Sequence, residues 1–542
     1  YPMENKRLKI LSLLCFAFGT VSAHEHLPVT HSFNLAEEQA GPRLVLDIVD
    51  QSTGEPIAAR FSLEVDGELF TPSWVDENGI SFTSIHESKK QRYTALYSKG
   101  RGPVSVALPD NAKKVVVWVA RGFQYLMGQG SANIRNERVD LSIELSRWTN
   151  LEEAGWIAVD EHLHYDRLDP KDDGLWLSML EADGLTSAHF MVLKGGMVPG
   201  IWSRQFAYGP EGQGSDGQRL LVPGQEYRDT AQGHINLLGI DRVILPYSTG
   251  GSGSPTVFEN YPTLHDVLLQ ARSYHAMAGV AHGGTLGRHS TSLADAVLGA
   301  VDFWEISNGF IYNTENWYRL MNCGIFLPMA AGTDLPNWPF RDPWQPMLGS
   351  IRMYVNTGGN PDFESFRSAV AQGKVFISGG PLIELTVNDK GVGETIRLPK
   401  EGGLVRVRAV LSAPHELKHF QLVKNGSSLT IGSINKSEGR INRWVIEREV
   451  HFDNSGWLTA WGKGPKIVTQ KIDAMAHSGV IKILVGQQAI ESSEDAKTLI
   501  ELFQKRASWY QSDGVYESEA QRKVATAQLD KAIQELKKQI HD

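Results

Sequence analysis

Val159-Asp160-Glu161-His162-Leu163-His164 is the stretch whose reading decides the fold. It follows the apolar lead Gly155-Trp156-Ile157-Ala158, so a strand-like run ends in two histidines spaced i, i+2. On a β-strand, side chains two apart point to the same face. A strand ending in H-x-H therefore presents two imidazoles side by side, as a divalent transition metal requires. The chain holds 17 His, enough for one H-x-H to arise by coincidence. The weight falls on the ligands that follow.

Around this stretch, over residues 148–380, apolar runs alternate with helical segments. Residues 175–182 read as a helix, 184–192 as a strand, 263–278 as a helix, 279–282 as a strand and 362–372 as a helix with Pro361 at its start. Alternating β and α implies a parallel sheet or a closed α/β barrel. In such barrels functional side chains come from the C-terminal ends of strands, so candidate ligands should end apolar runs. They do: His162 and His164 close the first run, and His189 lies in the next. Glu226 ends Leu220-Leu221-Val222-Pro223-Gly224-Gln225, His234 follows in Gly233-His234-Ile235, His282 ends Val280-Ala281, and Asp334 ends Met329-Ala330-Ala331-Gly332-Thr333. Five histidines and two carboxylates in a nitrogen and oxygen mix point to a multinuclear metal centre.

The succession D-E-H-L-H, L-T-S-A-H, P-G-Q-E, G-H-I-N-L-L-G, V-A-H-G and A-G-T-D resembles the polymerase-and-histidinol-phosphatase (PHP) superfamily of metallohydrolases, most closely its CehA/McbA branch. The likeness covers residues 148–380 and extends to Arg147-Trp148, Gly155-Trp156 and the later Gly379 to Leu382. The resemblance implies a distorted, seven-stranded β/α barrel with up to three metals. By position it implies that His162, His164, Glu226 and Asp334 hold one metal, and that Glu226 bridges to a second held by His234 and His282. A third site would use His189 with Asp166 or Asp169. Ala188 stands where the superfamily has an aspartate, and Leu335-Pro336 where it has a histidine; both departures fall on the third site. The expectation is two divalent ions (Zn, Mn or Fe).

The chemistry that follows is hydrolytic. A metal lowers the pKa of bound water toward neutrality and a second polarises the substrate oxygen. Asp334, Glu226 and His282 are the expected catalytic set, with Asp334 orienting the water or accepting its proton. Lys194, Arg204, Tyr208, Arg288 and His289 lie in glycine-rich stretches after strand ends and are the candidate substrate-binding residues. Glu305 is placed to orient a ligand histidine. Residues 201–217 read as a lid, and 248–254 as part of the mouth. The expected substrate is a small-molecule ester. Basic residues favour a phosphoester; Trp202, Phe206, Tyr208, Trp304, Trp317 and Trp338 favour an aryl carbamate or carboxyl ester. The rival is a non-catalytic carbohydrate- or surface-binding protein with a degenerate barrel.

The flanks read differently. Residues 24–147 are all-β: Arg43 to Asp50 and Val115 to Val119 are extended runs, and Val139 to Leu145 alternates as an antiparallel strand should. Residues 381–490 return to β, with Lys424-Asn425-Gly426 as a hairpin turn and His477 as a structural histidine. Two β-sandwiches flanking the barrel is the reading. Residues 491–542 form a helical tail, capped by Ser492 with Asp495. Its second helix is a solvated packing helix or a homodimer contact. Residues 1–23 read as a signal peptide: Tyr1-Pro2 precede Met3, a basic Lys6-Arg7-Leu8-Lys9 leads an apolar run, and Val21-Ser22-Ala23 is a cleavage site. Cleavage would remove Cys15 and leave Cys323 alone, so a periplasmic or secreted chain without an internal disulfide is expected. At 542 residues the chain exceeds one ordinary domain. With 53 basic and 62 acidic residues the net charge is −9, which argues against nucleic acid as partner. No apolar run is long enough to span a bilayer.

Overall fold

The computed structural model describes residues 30–33, 41–86, 91–194, 200–249, 260–309, 311–336, 348–429, 432–466 and 473–540. The expected signal peptide lies outside the described residues. From Arg43 to Asp50 burial alternates strictly, one face packing inward. That strand joins Arg138–Leu145 and Val104–Ala107 in a three-stranded sheet, which faces a seven-stranded one. Leu44, Leu46, Phe61, Leu63, Val117 and Val119 fill the space between them. Arg138–Leu145 departs from expectation: it pairs parallel to Arg43–Asp50, Val139 opposite Leu44. Alternation reports one buried face and carries no information on strand direction.

Seven strands of the middle region form a closed circuit. They are β1 (Trp156–Leu163), β2 (Ser187–Lys194), β3 (Leu220–Asp229), β4 (Gly233–Leu238), β5 (Met277–Val280), β6 (Phe303–Ser307) and β7 (Met329–Ala331). Pairing runs β1–β2–β3 in parallel, β3–β4–β5 antiparallel, and β5–β6–β7 in parallel. Six strands therefore share a direction and β4 is reversed. Backbone bonds from Asp334 N to the His162 carbonyl and from His164 N to the Leu335 carbonyl, both 2.7 Å, close the ring. Gly332 permits this approach, because a Cβ there would lie 2.5 Å from that of His162.

The seam has a buried polar anchor in Asp160. Its carboxylate accepts from Thr333 N (2.9 Å), Thr333 Oγ1 (2.7 Å) and Gly349 N (2.8 Å), tying β1 to the segment after β7. Helix α1 (Asp173–Ala182) occupies its expected position; α2 (Leu264–Ser273), capped by Thr263, whose side chain accepts from Asp266 N, ends short of the expected 278, because Met277 and Ala278 already belong to β5. Short helices α3 (Ser292–Val297) and α4 (Glu315–Asn322) follow β5 and β6. Next come β8 (Arg352–Asn356), α5 (Phe363–Ala371), capped by Asp362, and β9 (Val375–Ser378).

The C-terminal β region is less separate than its composition suggests. Strand β10 (Asp473–Ser478) pairs with β9, which pairs with β8, and β8 with β1. One hydrogen-bonded sheet thus runs from the ring into the C-terminal sandwich. A four-stranded sheet containing Leu382–Val387 and Gly403–Ala413 covers it. His477 on β10 is structural: its Nδ1 donates to the Ser478 carbonyl and its Nε2 accepts from Tyr318 Oη, both 2.8 Å. Helices α6 (Ser493–Ser512) and α7 (Glu519–Lys537) pack together and against α3 and α4. The tail is thus a packing element of the same chain.

Removing the Asp160 carboxylate strands several buried donors at the ring seam, each worth about 1–3 kcal/mol. Asp160→Ala is expected to lower unfolding stability by about 3–5 kcal/mol in metal-free urea titrations. A change below about 1 kcal/mol would remove Asp160 as the anchor.

Candidate metal centre

The ends of the six parallel strands, together with the start of reversed β4, make one rim. His162 is on β1 and His164 follows it; Glu226 lies within β3; His234 opens β4; His282 follows β5 and Asp334 follows β7. All six are buried or nearly so. His282 and Asp334 both adopt left-handed backbone, φ 55°, a conformation that costs energy in residues other than glycine and collects at functional sites.

The hydrogen bonds fix the tautomers of the H-x-H pair. His162 Nδ1 donates to Glu305 Oε1 and His164 Nδ1 to the Met191 carbonyl, both 2.8 Å. Each Nε2 is then a bare lone pair, and the two face each other at 3.1 Å. Asp334 Oδ1 joins them at 3.6 Å from His162 Nε2 and 3.2 Å from His164 Nε2. Glu226 Oε2 lies at 3.8 and 3.3 Å from the same atoms. The other Glu226 oxygen, Oε1, turns to His234 Nδ1 (3.2 Å) and His282 Nε2 (3.7 Å), and Asp334 Oδ2 lies 3.3 Å from His282 Nε2.

Ligand bonds of about 2.1 Å in a tetrahedron place donors about 3.4 Å apart, the spacing seen here. Buried lone pairs converging without a cation between them repel, so these residues fit a metal. Three donor groups lie close enough to hold one: His162, His164 and Glu226; His162, His282 and Glu305; and Glu226, His234 and His282. Glu305 acts from behind the ligands, since its Oε2 also accepts from His282 N at 2.5 Å.

Burial opposes charge at Glu226, Asp334, His162 and His234, and neighbouring charges overturn it at the first three. Burial would raise Glu226, but Arg228 and the ring nitrogens of His162, His164 and His234 hold it well below the carboxylate range. Asp334 is held down likewise by His162, His164 and His282. His162 is pushed well above its ordinary value, because Glu305, Asp334 and Glu226 outweigh its burial. His234 falls to about 4, mainly through burial, with Arg228 and His282 adding to it.

No family model matches the chain, and no curated protein matches it. Among solved structures it is similar to the lesion-specific endonuclease PfuEndoQ from Pyrococcus furiosus, at 15% identity and a TM-score of 0.25. The match covers 40% of this chain and 56% of that one, so the chain spans little more than half of the protein it resembles. A likeness this slight carries no argument about mechanism. The geometry has to carry it.

The structure does not bring His189 to the centre. It lies mid-strand on β2, its ring edge-on to Phe366 and Phe363 at centroid distances of 5.0 and 5.9 Å, and burial lowers its pKa to about 3. Neither ring nitrogen has a hydrogen-bond partner among the described residues. The aspartates considered with it are committed elsewhere: Asp166 accepts from Arg204 N and Nη2, and Asp169 caps a short 3-10 turn and pairs with Lys171. A third site from these residues is not formed.

Of the candidate substrate residues, Lys194 ends β2 on the rim, and Arg204 is half exposed and paired with Asp166. Tyr208 packs against the hydrophobic core. Arg288 is exposed, and His289 stacks on Trp509 at 3.9 Å while its carbonyl accepts from Tyr510 Oη. His289 thus serves the tail. Trp338 and most of 248–254 lie outside the described residues. Arg228 was not singled out from the sequence, yet its Nη2 donates to Glu226 Oε2 at 2.5 Å. The signal was available: Arg228 is two residues beyond Glu226 on one strand, hence on the same face.

His189 stays neutral in the fold down to about pH 3, whereas the unfolded chain protonates near 6.5. The unfolded state therefore binds more protons in this window, and stability falls as pH drops from 6.5 toward 3, by up to about 1.4 kcal/mol per unit. His189→Leu is expected to flatten that slope in acid titrations and leave metal uptake unchanged. Loss of metal in this variant would return His189 to the centre.

Proposed function

We propose that the protein is a metal-dependent hydrolase that cleaves an ester-type bond, as its resemblance to the PHP superfamily and the CehA/McbA branch implies. The observation that carries this reading is the pair of facing Nε2 lone pairs, closed in by two carboxylates whose remaining oxygens turn to a second pair of histidines. That arrangement suits two ions sharing Glu226, of a kind that accepts mixed nitrogen and oxygen ligands: zinc, manganese or iron. Bound there, such ions would supply an acidified water and an electrophile for the substrate oxygen.

The chain's own groups do the rest. The neighbouring Arg228 and histidines favour the ionised forms of Glu226 and Asp334, so their lone pairs are available for ligation. Glu305 fixes the tautomer of His162 and positions the backbone of His282 together. Asp334 and His282 flank the place where an attacking water would be oriented. Trp202, whose ring packs 5.3 Å from that of His164, gives the site an aromatic wall. We assign the protein to an exported compartment on its N-terminal sequence. No helix among the described residues is long and apolar enough to cross a membrane.

The test is metal content of the purified protein by plasma mass spectrometry, paired with aryl phosphoesters, carboxyl esters and carbamates. The reading expects about two equivalents, turnover abolished by chelator, and joint loss of metal and activity in Glu226→Gln. A protein that takes up no metal and turns over nothing would be a binding module, and Glu226→Gln would leave its ligand in place.

A further inference from the structure

We propose that Arg228 anchors the substrate of this centre and selects an anionic phosphomonoester over a neutral carbonyl ester. The inference rests on the hydrolase reading. Arg228 sits on β3, on the same face as Glu226, with His234 of β4 directly opposite in register. A strand-borne guanidinium is held far more firmly than one on a loop. Only 9% of its side chain is exposed, and its Nη2 is engaged by Glu226 Oε2. Its Nε is buried without a partner there. A buried guanidinium with unused donors is costly, and the planar fork that remains matches two oxygens of a phosphoryl group.

The other cations near the rim are less suited. Arg204 is committed to Asp166, Arg288 is exposed, and Lys194 presents a point charge on a flexible stem. Charge balance points the same way. Two divalent cations would outweigh the carboxylates of Glu226, Asp334 and Glu305, and Arg228 adds to that excess. An anionic phosphomonoester offsets buried positive charge; a carbamate or carboxyl ester does not.

The alternative is that Arg228 only holds Glu226 in position, and the experiment separates the two. Arg228→Lys and Arg228→Met would be prepared alongside the wild type, with melting curves to establish folding. Metal stoichiometry, calorimetric affinity for the inert probe phenylphosphonate, and kinetics on matched aryl phosphate and aryl acetate would be measured. Both variants are expected to keep their metal. Phenylphosphonate affinity should fall about 10- to 100-fold in the Met variant and recover partly in the Lys variant. The aryl phosphate kcat/KM should fall in parallel, by a factor at least about 10-fold larger than any fall for the acetate. A metal-loaded Met variant that binds phenylphosphonate as tightly as wild type overturns the inference alone. So does loss of metal in both variants, which would make Arg228 a positioning residue. A wild type that takes up no metal fails the hydrolase reading itself, and this inference with it.

Discussion

Two imidazole nitrogens 3.1 Å apart, each ring proton committed to its far edge, are what the rest of the structure has to hold in place. Lone pairs so placed repel, and burial removes the water that would screen them. The arrangement persists because every outer contact is fixed. Glu305 grips His162 by its ring and His282 by its backbone, Met191 grips His164, and the ring seam sets Asp334 against β1. Only a cation resolves the repulsion. Without metal, Glu305, Asp334 and Glu226 favour the protonated form of His162.

The reversal of β4 is what completes the donor set. In a ring of seven parallel strands, the start of a strand would face the opposite rim from the ends of the others. Reversed, β4 brings His234 at its first turn onto the rim where His282 and Asp334 lie. The β3–β4 hairpin then supplies a carboxylate, a ring nitrogen and a guanidinium from two paired strands, Glu226 opposite Asn236 and Arg228 opposite His234. Strand β1 has a second task, since its first half pairs with β8 and so ties the ring to the C-terminal sheet. The flanking sandwich is thereby part of the framework on which the histidines are mounted.

Much of this was legible in the chain, for identifiable reasons. H-x-H at a strand end needs only the two-residue period of a strand, and the helices at 173–182, 264–273 and 363–371 announce themselves through the spacing of their apolar residues. His189 misleads because β2 is buried on both faces. Such a strand carries no alternation to show where it ends, and β2 runs five residues past the histidine. The continuity from β9 into β10 was equally hidden: pairing between segments nearly a hundred residues apart leaves no local mark on either.

Arg228 shows what pattern reading passes over. A sequence scan for substrate residues favours cations in glycine-rich loops, since loops carry function. Yet polar loop side chains at a protein surface are free to find partners of their own, as Arg204 does in Asp166 and His289 in Trp509. A cation on a strand two residues from a ligand has no such freedom. It must be matched by what the centre itself contains, here one oxygen of Glu226. That carboxylate also belongs to two of the donor sets, the one with His162 and His164 and the one with His234 and His282. Any cation bound there would draw on the same lone pairs as the guanidinium, and the arginine would be left with donors to spare beside the reacting centre. The charge of the substrate is then set by the same strand that sets the metal.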